Sequence, residues 1–408
     1  MKKRFLVMAM AGLALAGCVS EDVSDVKQKD EKVKIAFESP VLYDNAESRA
    51  HVPGEIGANQ ILKNYDVRET FRIFAVQYPE NTTFTTWESL QVADVNNKEA
   101  IYAGSSIDGW APYVTKDNPA TTDKDETEYY YWPSGYKMAF AAVSPYWLGA
   151  DDTDLSDCNV SYDKNGLQIT GFKVQSDAAK QYDLLYGERI TEMTANRIQI
   201  GANDYNGVPI KFHHALSSIR FSLMNHTNAE LVLKEISLWG PKYKGNFNEN
   251  YDESKGATLY KDNVDPKWIV DSDSVRHASP YIAFQGNLAF PYNPNYISEL
   301  VVGTVGNTVH QLLLIPQEIG TAEVNKIYLR VKYTVDGQAK TKHVQLNNRM
   351  SLESEEGAND AELVNEWKMG YRYTYRITYD AGSAQKDMIY FAPSTEAFVD
   401  EKVVVVSL

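Results

Sequence analysis

Few residues in this chain have the type and setting to take part in chemistry, and the clearest are a cysteine and an arginine near the N-terminus. Cys18 follows Leu15-Ala16-Gly17. Small residues before a cysteine let an extended chain lie in a narrow peptidase cleft, and the thiol is the nucleophile that takes a diacylglycerol. Arg49 stands between Ser48 and Ala50 in a polar stretch. A lone basic side chain in such a stretch offers an Arg-specific protease its cut, leaving Ala50 as the new N-terminus. Both reactions are done to this chain by other proteins.

No constellation gives the chain a chemistry of its own. It holds no G-x-S-x-G turn, no H-E-x-x-H, no phosphate-cradling G-x-x-x-x-G-K-[ST] and no dinucleotide fingerprint. His213-His214 lies in an alternating stretch, where neighbouring side chains point to opposite faces. A metal pair needs both rings on one face, so this pair reads as structural. Asp152, Asp154, Ser156 and Asp163 partly match a calcium loop, but Asp157 occupies the position that needs glycine and no glutamate closes the loop. The expectation is no metal, no cofactor and no enzyme activity. Net charge is −15, with no cluster of Lys and Arg to meet a phosphate backbone, which argues against a nucleic-acid partner.

The elements around Cys18 and Arg49 place them. Lys2, Lys3 and Arg4 form a basic start, and residues 5–16 form an apolar stretch. That stretch is shorter than the roughly 20 residues that span a bilayer. With Cys18 at its end, the pattern resembles the lipobox of bacterial lipoproteins: residues 1–17 a signal peptide, residues 18–49 a lipidated propeptide. The acidic run Glu21, Asp22 and Asp25 resembles the surface-export signal of some Gram-negative lipoproteins, and residues 19–32 read as a charged tether. Between tether and Arg49, Val33, Ile35 and Phe37 alternate as a short strand would. With Cys18 lipidated, Cys158 is left alone, so no intrachain disulfide can form.

The rest of the chain reads as strands. There are 27 tyrosines, and aromatic and β-branched residues suit a pleated, half-buried surface. Tyr371, Tyr373, Tyr375, Ile377 and Tyr379 alternate with polar residues, as do Ile327, Leu329, Val331, Tyr333 and Val335, after which Asp336-Gly337 signals a hairpin. Residues 71–76 and 138–143 read as more buried strands. Between 210 and 223 the alternation changes phase near Ser217-Ser218, which suggests a bulge or bend. Helical signal is scarce, with 361–367 the best short candidate. Many strands, turn-rich connections and few helices imply an all-β fold of β-sandwiches. A polar stretch at 191–207 marks a joint between a domain at 50–207 and one at 208–408.

Several ordered cassettes carry a family resemblance. Tyr131-Trp132-Pro133 and Ser144-Pro145-Tyr146 flank a buried strand. Asp183-Leu184-Leu185-Tyr186 follows, and then Val208-Pro209-Ile210-Lys211-Phe212-His213-His214-Ala215-Leu216-Ser217. Leu314-Ile315-Pro316-Gln317 and Trp367-x-x-Gly370-x-x-Tyr373 close the series. In order and spacing these resemble the fimbrillins, subunits of type V pili in Bacteroides-like Gram-negative bacteria. The resemblance implies two transthyretin-like β-sandwich domains in tandem. It also implies export as an outer-membrane lipoprotein and maturation by an Arg-specific surface protease at Arg49-Ala50. Loss of the leaving strand (Val33, Ile35, Phe37) would then open an apolar groove, which a strand from another fimbrial subunit fills on the cell surface, supporting adhesion. Val403, Val404, Val405 and Val406 are the candidate donor strand. Stalk, tip and still-lipidated anchor subunits stay open. So does a surface glycan-binding lipoprotein, for which Trp87, Trp110, Trp147 and Trp268, in loop-like stretches, are the candidate sugar platforms.

Overall fold

The computed structural model describes residues 33–37, 41–42, 71–84, 90–102, 110–113, 130–146, 158–163, 166–178, 181–195, 207–249, 267–275, 279–297, 311–320, 322, 325–346, 364–380 and 388–397. Its elements are all strands, with no helical element among the described residues, so the fold is all-β. Central strands are apolar nearly throughout because both of their faces are covered. In Phe71–Pro79 the residues Phe71, Ile73, Phe74, Ala75, Val76 and Tyr78 are all buried, and its partner Tyr136–Ser144 is buried from Met138 onward. Tyr328–Val335 instead alternates, with Leu329, Val331 and Tyr333 inside. Its hairpin to Gln338–Gln345 turns through Asp336 (φ 46°) and Gly337 (φ 77°), both left-handed, as a two-residue turn that matches strand twist requires.

The first sheet runs Val41–Leu42, Lys211–His214, Leu185–Met193, Tyr136–Ser144, Phe71–Pro79, Lys98–Tyr102, Trp110–Tyr113, with Gln91–Val92 attached to Phe71–Pro79. A four-stranded sheet runs Lys267–Val270, Lys244–Asn248, Gly166–Lys173, Asn159–Asp163. The two meet through Phe74 on Tyr162 (6.2 Å between ring centroids) and Tyr186 on Phe247 (5.0 Å). A second pair of sheets lies farther along the chain. One runs Asn293–Ile297, Ser217–Asn225, Tyr371–Asp380, Met388–Ala397, with Leu312–Leu314 attached. The other runs Tyr281–Phe290, Leu231–Trp239, Tyr328–Val335, Gln338–Gln345, and Tyr333 meets Tyr379 across the interior at 5.9 Å. Strands from both sides of residue 207 share two sheets: Lys211–His214 belongs to the first, and Gly166–Lys173 pairs with Lys244–Asn248.

Two expectations change and a third is made specific. Of the bulge or bend expected near Ser217-Ser218, the chain takes a bend, at Leu216. The chain leaves the first sheet at His214, crosses through buried Ala215 and Leu216, and enters another sheet at Ser217, so the inward face is redefined by a new neighbour. The helix at 361–367 is not formed where its residues are described: Glu366–Trp367 is a short strand paired with Gln317–Glu318. Trp367 is wholly buried and donates from Nε1 to the Tyr375 hydroxyl at 3.0 Å, an anchorage that overrides weak helix propensity. Trp268 is not a loop platform. It sits in a strand against Phe172 and Phe247 and donates to the Ala215 carbonyl at 2.6 Å. Trp110 also lies in a strand, while Trp87 and Trp147 lie outside the described residues.

The cassettes are clasps in this frame. The N–H of Gly370 (φ 71°) donates to the Leu216 carbonyl at 3.0 Å, and the Ser217 hydroxyl donates to the Lys368 carbonyl at 2.8 Å. The N–H of Lys368 donates to the Tyr373 hydroxyl, whose own titration burial pushes up to about 12. Gln317 donates from Nε2 to the Lys242 and Ile315 carbonyls and accepts the Lys242 N–H. His214 meets Asp183 at 2.6 Å in the interior, while His213 stacks on Tyr186 and meets Glu188 at 2.8 Å.

Two charge clusters make the frame testable. Arg189 and Glu249, both almost fully buried, pair at 2.8 Å and join the first sheet to its partner; the same carboxylate oxygen accepts the Leu167 N–H. Glu249→Ala should destabilise the protein by about 3–5 kcal/mol in chemical denaturation, because it strands a buried guanidinium, whereas Arg189→Met with Glu249→Leu should recover most of that loss. Burial raises the Glu235 titration, but hydrogen bonds from Lys332, Ser237 and Arg330 outweigh it and hold the carboxyl below its ordinary range. A lowered folded value stabilises the protein above the unfolded value, about 4.3, and that stability drains away as pH falls through the folded one. The thermal midpoint should therefore drop on acidification below about pH 4.3, and Glu235→Gln should flatten that drop.

Candidate functional site, an N-terminal strand slot

The strand-like segment near the N-terminus occupies a built position. It is bonded on both sides. On one side Lys34 pairs antiparallel with Tyr131, and the Ile35 N–H donates to the Tyr130 carbonyl at 2.7 Å. On the other side Phe37 pairs parallel with Val208, whose N–H donates to the Ala36 carbonyl at 2.8 Å. Val41 and Leu42 then continue parallel to Lys211 and Phe212 at the edge of the first sheet. Sequence alternation sends Ile35 and Phe37 to one face. Both are buried, Phe37 to 1% exposure, while Lys34 is exposed and Val33 half-buried.

Phe37 fills an aromatic socket. Its ring stands edge-on to Phe71 (centroids 6.0 Å, planes at 88°) and to Phe140 (5.7 Å, 87°). Phe71 continues to Phe212 at 5.5 Å, and Trp132 packs on Phe140 at 5.9 Å. The rings come from three strands and one cassette, so the socket exists only once the first sheet has formed. Edge-to-face pairs of this kind add about 0.5–1.5 kcal/mol to simple burial. The arrangement can hold a strand: it offers a carbonyl and an N–H to an incoming backbone and an apolar cavity to alternate side chains.

Of the residues singled out from sequence, Val33, Ile35 and Phe37 are brought to this slot. Cys18, Arg49, Ala50, Val403, Val404, Val405 and Val406 lie outside the described residues. Sequence reasoning missed the receiving side, namely Tyr130, Val208, Phe71, Phe140 and Phe212. Two signals pointed there: Tyr131-Trp132-Pro133 and Val208-Pro209-Ile210 are cassettes that begin next to the seated segment. Among the described residues no group of three or more His, Cys, Asp or Glu side chains is placed to hold a metal ion.

A model of fimbrillin-like proteins matches residues 75–390. The chain belongs to the fimbrillin-like family. The match leaves out the seated segment and takes in most of the sheet that receives it. A fimbrial protein from Bacteroides vulgatus has a similar structure, with 16% identity, 90% of this chain and 99% of that one covered, and a TM-score of 0.52. A putative cell adhesion protein from Bacteroides uniformis is similar over 90% of this chain and 99% of its own (13% identity, TM-score 0.44). The tip fimbrial protein Mfa3 from Porphyromonas gingivalis, with C-terminal truncation, is similar over 81% and 96% (10% identity, TM-score 0.36). No curated protein sequence matches the fimbrillin-like chain.

The slot predicts an asymmetry within a single segment. Phe37→Ala should lower the stability of the full chain by about 3–5 kcal/mol, measured by thermal or chemical unfolding, because a ring is removed from a rigid socket. Lys34→Ala, at an exposed position, should change it by less than about 0.5 kcal/mol. Equal effects would mean the segment is not seated by its side chains.

Proposed function

We propose that this fimbrillin-like chain is a structural subunit of a cell-surface fimbrium, without catalytic activity, and that it polymerises by strand exchange. It is exported as a lipoprotein through Cys18 and held at the outer membrane by that lipid. An Arg-specific surface protease cuts between Arg49 and Ala50. The cut severs the segment holding Val33, Ile35 and Phe37 from the body, and a strand from a neighbouring subunit takes its place; Val403, Val404, Val405 and Val406 are the candidates for that strand. A head-to-tail contact of this kind does not close on itself, so a filament grows. The finished filament supports adhesion.

The observation that carries this reading is the seating of Ile35-Ala36-Phe37. A segment before Arg49 in sequence bridges Tyr131 on one side and Val208 on the other, with its aromatic side chain buried. Emptying that position leaves unpaired polar groups and an apolar trough, and a donated strand satisfies both along its length. Trp268, half-buried, is packed against Phe172 and hydrogen-bonded to Ala215 rather than standing free in a loop, which does not favour a sugar-stacking role.

Two variants test the route. Arg49→Ala should leave full-length lipidated monomers and few filaments; filaments assembled at normal yield from subunits that keep residues 19–49 would reject maturation at this bond. Cys18→Ala should abolish incorporation of labelled fatty acid, and unchanged labelling would reject lipidation there.

A further inference from the structure

We propose that the socket holding Phe37 is the specificity pocket of the slot. The strand it accepts carries a β-branched residue and, two positions on, an aromatic ring; in a second copy of this chain that strand is the one holding Ile389-Tyr390-Phe391. This rests on the strand-exchange reading of the slot and names the donor chemistry that the reading leaves open.

The socket sets the requirement. Phe37 touches Phe71 and Phe140 with its ring edges, both planes near perpendicular, and is 1% exposed. Ile35, two residues before it, is 3% exposed. A strand that replaces this segment must present a branched side chain and a flat ring at the same spacing, since alternate residues share a face. The run Val403, Val404, Val405, Val406 supplies no ring. A valine in the Phe37 position leaves unfilled space among rings fixed by the sheet, and such space is costly in proportion to its volume.

The pattern Ile-x-Phe occurs elsewhere in the chain, but position in the fold separates the occurrences. Ile219 and Phe221 lie in Ser217–Asn225, which is bonded along its length to Tyr371–Asp380 and, on its other side, to Asn293–Ile297 and Leu312–Leu314. Phe212 pairs with both Val41–Leu42 and Leu185–Met193. Ile282 and Phe284 lie in Tyr281–Phe290, which runs directly into Asn293–Ile297 of the facing sheet. Met388–Ala397 differs: it is the last described strand and lies at a sheet edge, with Tyr371–Asp380 its one strand neighbour among the described residues. Ile389 and Phe391 stand in register with Tyr379 and Ile377. Releasing this strand breaks one ladder and carries no later described strand with it.

The test uses the full-length chain, folded, with a fluorophore placed between residues 19 and 32, then nicked at Arg49 under native conditions. Peptides are titrated in and release of the labelled segment is followed. The peptide of residues 33–43 is the control for the slot and should displace the label. The peptide of residues 387–397 should displace it at a concentration at least about tenfold lower than that of residues 400–408, and Phe391→Val in the peptide should erase that advantage. Equal or better displacement by residues 400–408, or an unchanged Phe391→Val peptide, overturns the specificity proposal while leaving strand exchange standing. Failure of the control peptide overturns strand exchange itself, and the proposal with it.

Discussion

A strand position inside a sheet has to be filled. Its neighbours present N–H and C=O groups on a fixed pitch, and its faces present apolar side chains, so a vacancy costs free energy in both currencies of folding. In this chain the position between Tyr130 and Val208 is filled from the N-terminal side by Ile35-Ala36-Phe37. The magnitudes matter. Burying Ile35 and Phe37 contributes about 1.5–3 kcal/mol each. The two backbone hydrogen bonds add roughly 1 kcal/mol each. Ordering residues 33–37 costs roughly 1–2 kcal/mol per residue. The edge-to-face contacts of Phe37 and the cost of leaving its socket empty tip the balance toward occupancy, and the covalent link adds to it. A covalent link holds it near its slot at high effective concentration, and a cut in the link removes that advantage without touching a single contact. If the proposed cut at Arg49 severs that link, the two states differ in connectivity rather than in packing.

The frame around the slot is fastened at two charge clusters. The buried Arg189–Glu249 pair fastens the first sheet to its partner sheet, and the carboxylate also takes the Leu167 N–H, so three strands are pinned at one point. Glu192, left-handed at φ 60°, fastens the same sheet to the turn after Phe71–Pro79: it accepts from Lys137, the Phe84 N–H and the Tyr78 hydroxyl, and these bonds outweigh burial to hold its carboxyl below the ordinary range. Phe71 and Phe140 belong to two nine-residue strands paired with each other, and Phe212 to a short strand bonded on both sides, so the socket is built into the first sheet.

Much of this was legible in the sequence, and what was not is instructive. The strand of Tyr371–Asp380 and the hairpin at Asp336-Gly337 were readable because period and turn chemistry are local properties. The seated segment was readable as a strand because Ile35 and Phe37 alternate. Its partners were not, because Tyr130 and Val208 lie far along the chain and pairing leaves no local trace. The phase shift at Ser217 was legible as a bulge or bend, but a bulge and a bend between two sheets both reset the inward face, and only the neighbours distinguish them. Trp367 was placed in a helix because propensity speaks for short segments until a tertiary hydrogen bond, here to Tyr375, overrules it. The cassettes that marked the family turned out to hold residues with long-range structural partners, Trp367, Gly370, Ser217 and Gln317 among them.

A subunit that polymerises through one strand position must keep its other edges from joining at random. The edge strand Gln338–Gln345 shows how this is managed. Its register places Lys342 opposite Val331 and Lys340 opposite Tyr333, both of which are buried and face the interior. Lysines on the inward side of an edge strand can send their charge to solvent only while that edge is free; a strand added alongside would trap it. The slot has the opposite composition. Its lining is Phe71, Phe140, Phe212 and Trp132, with no charge among these four, and it is closed to chance partners by its own tethered occupant. Adhesion at one place and refusal at another thus follow from the same rule: an edge accepts a strand when its inward side chains are apolar and rejects one when they are ionised.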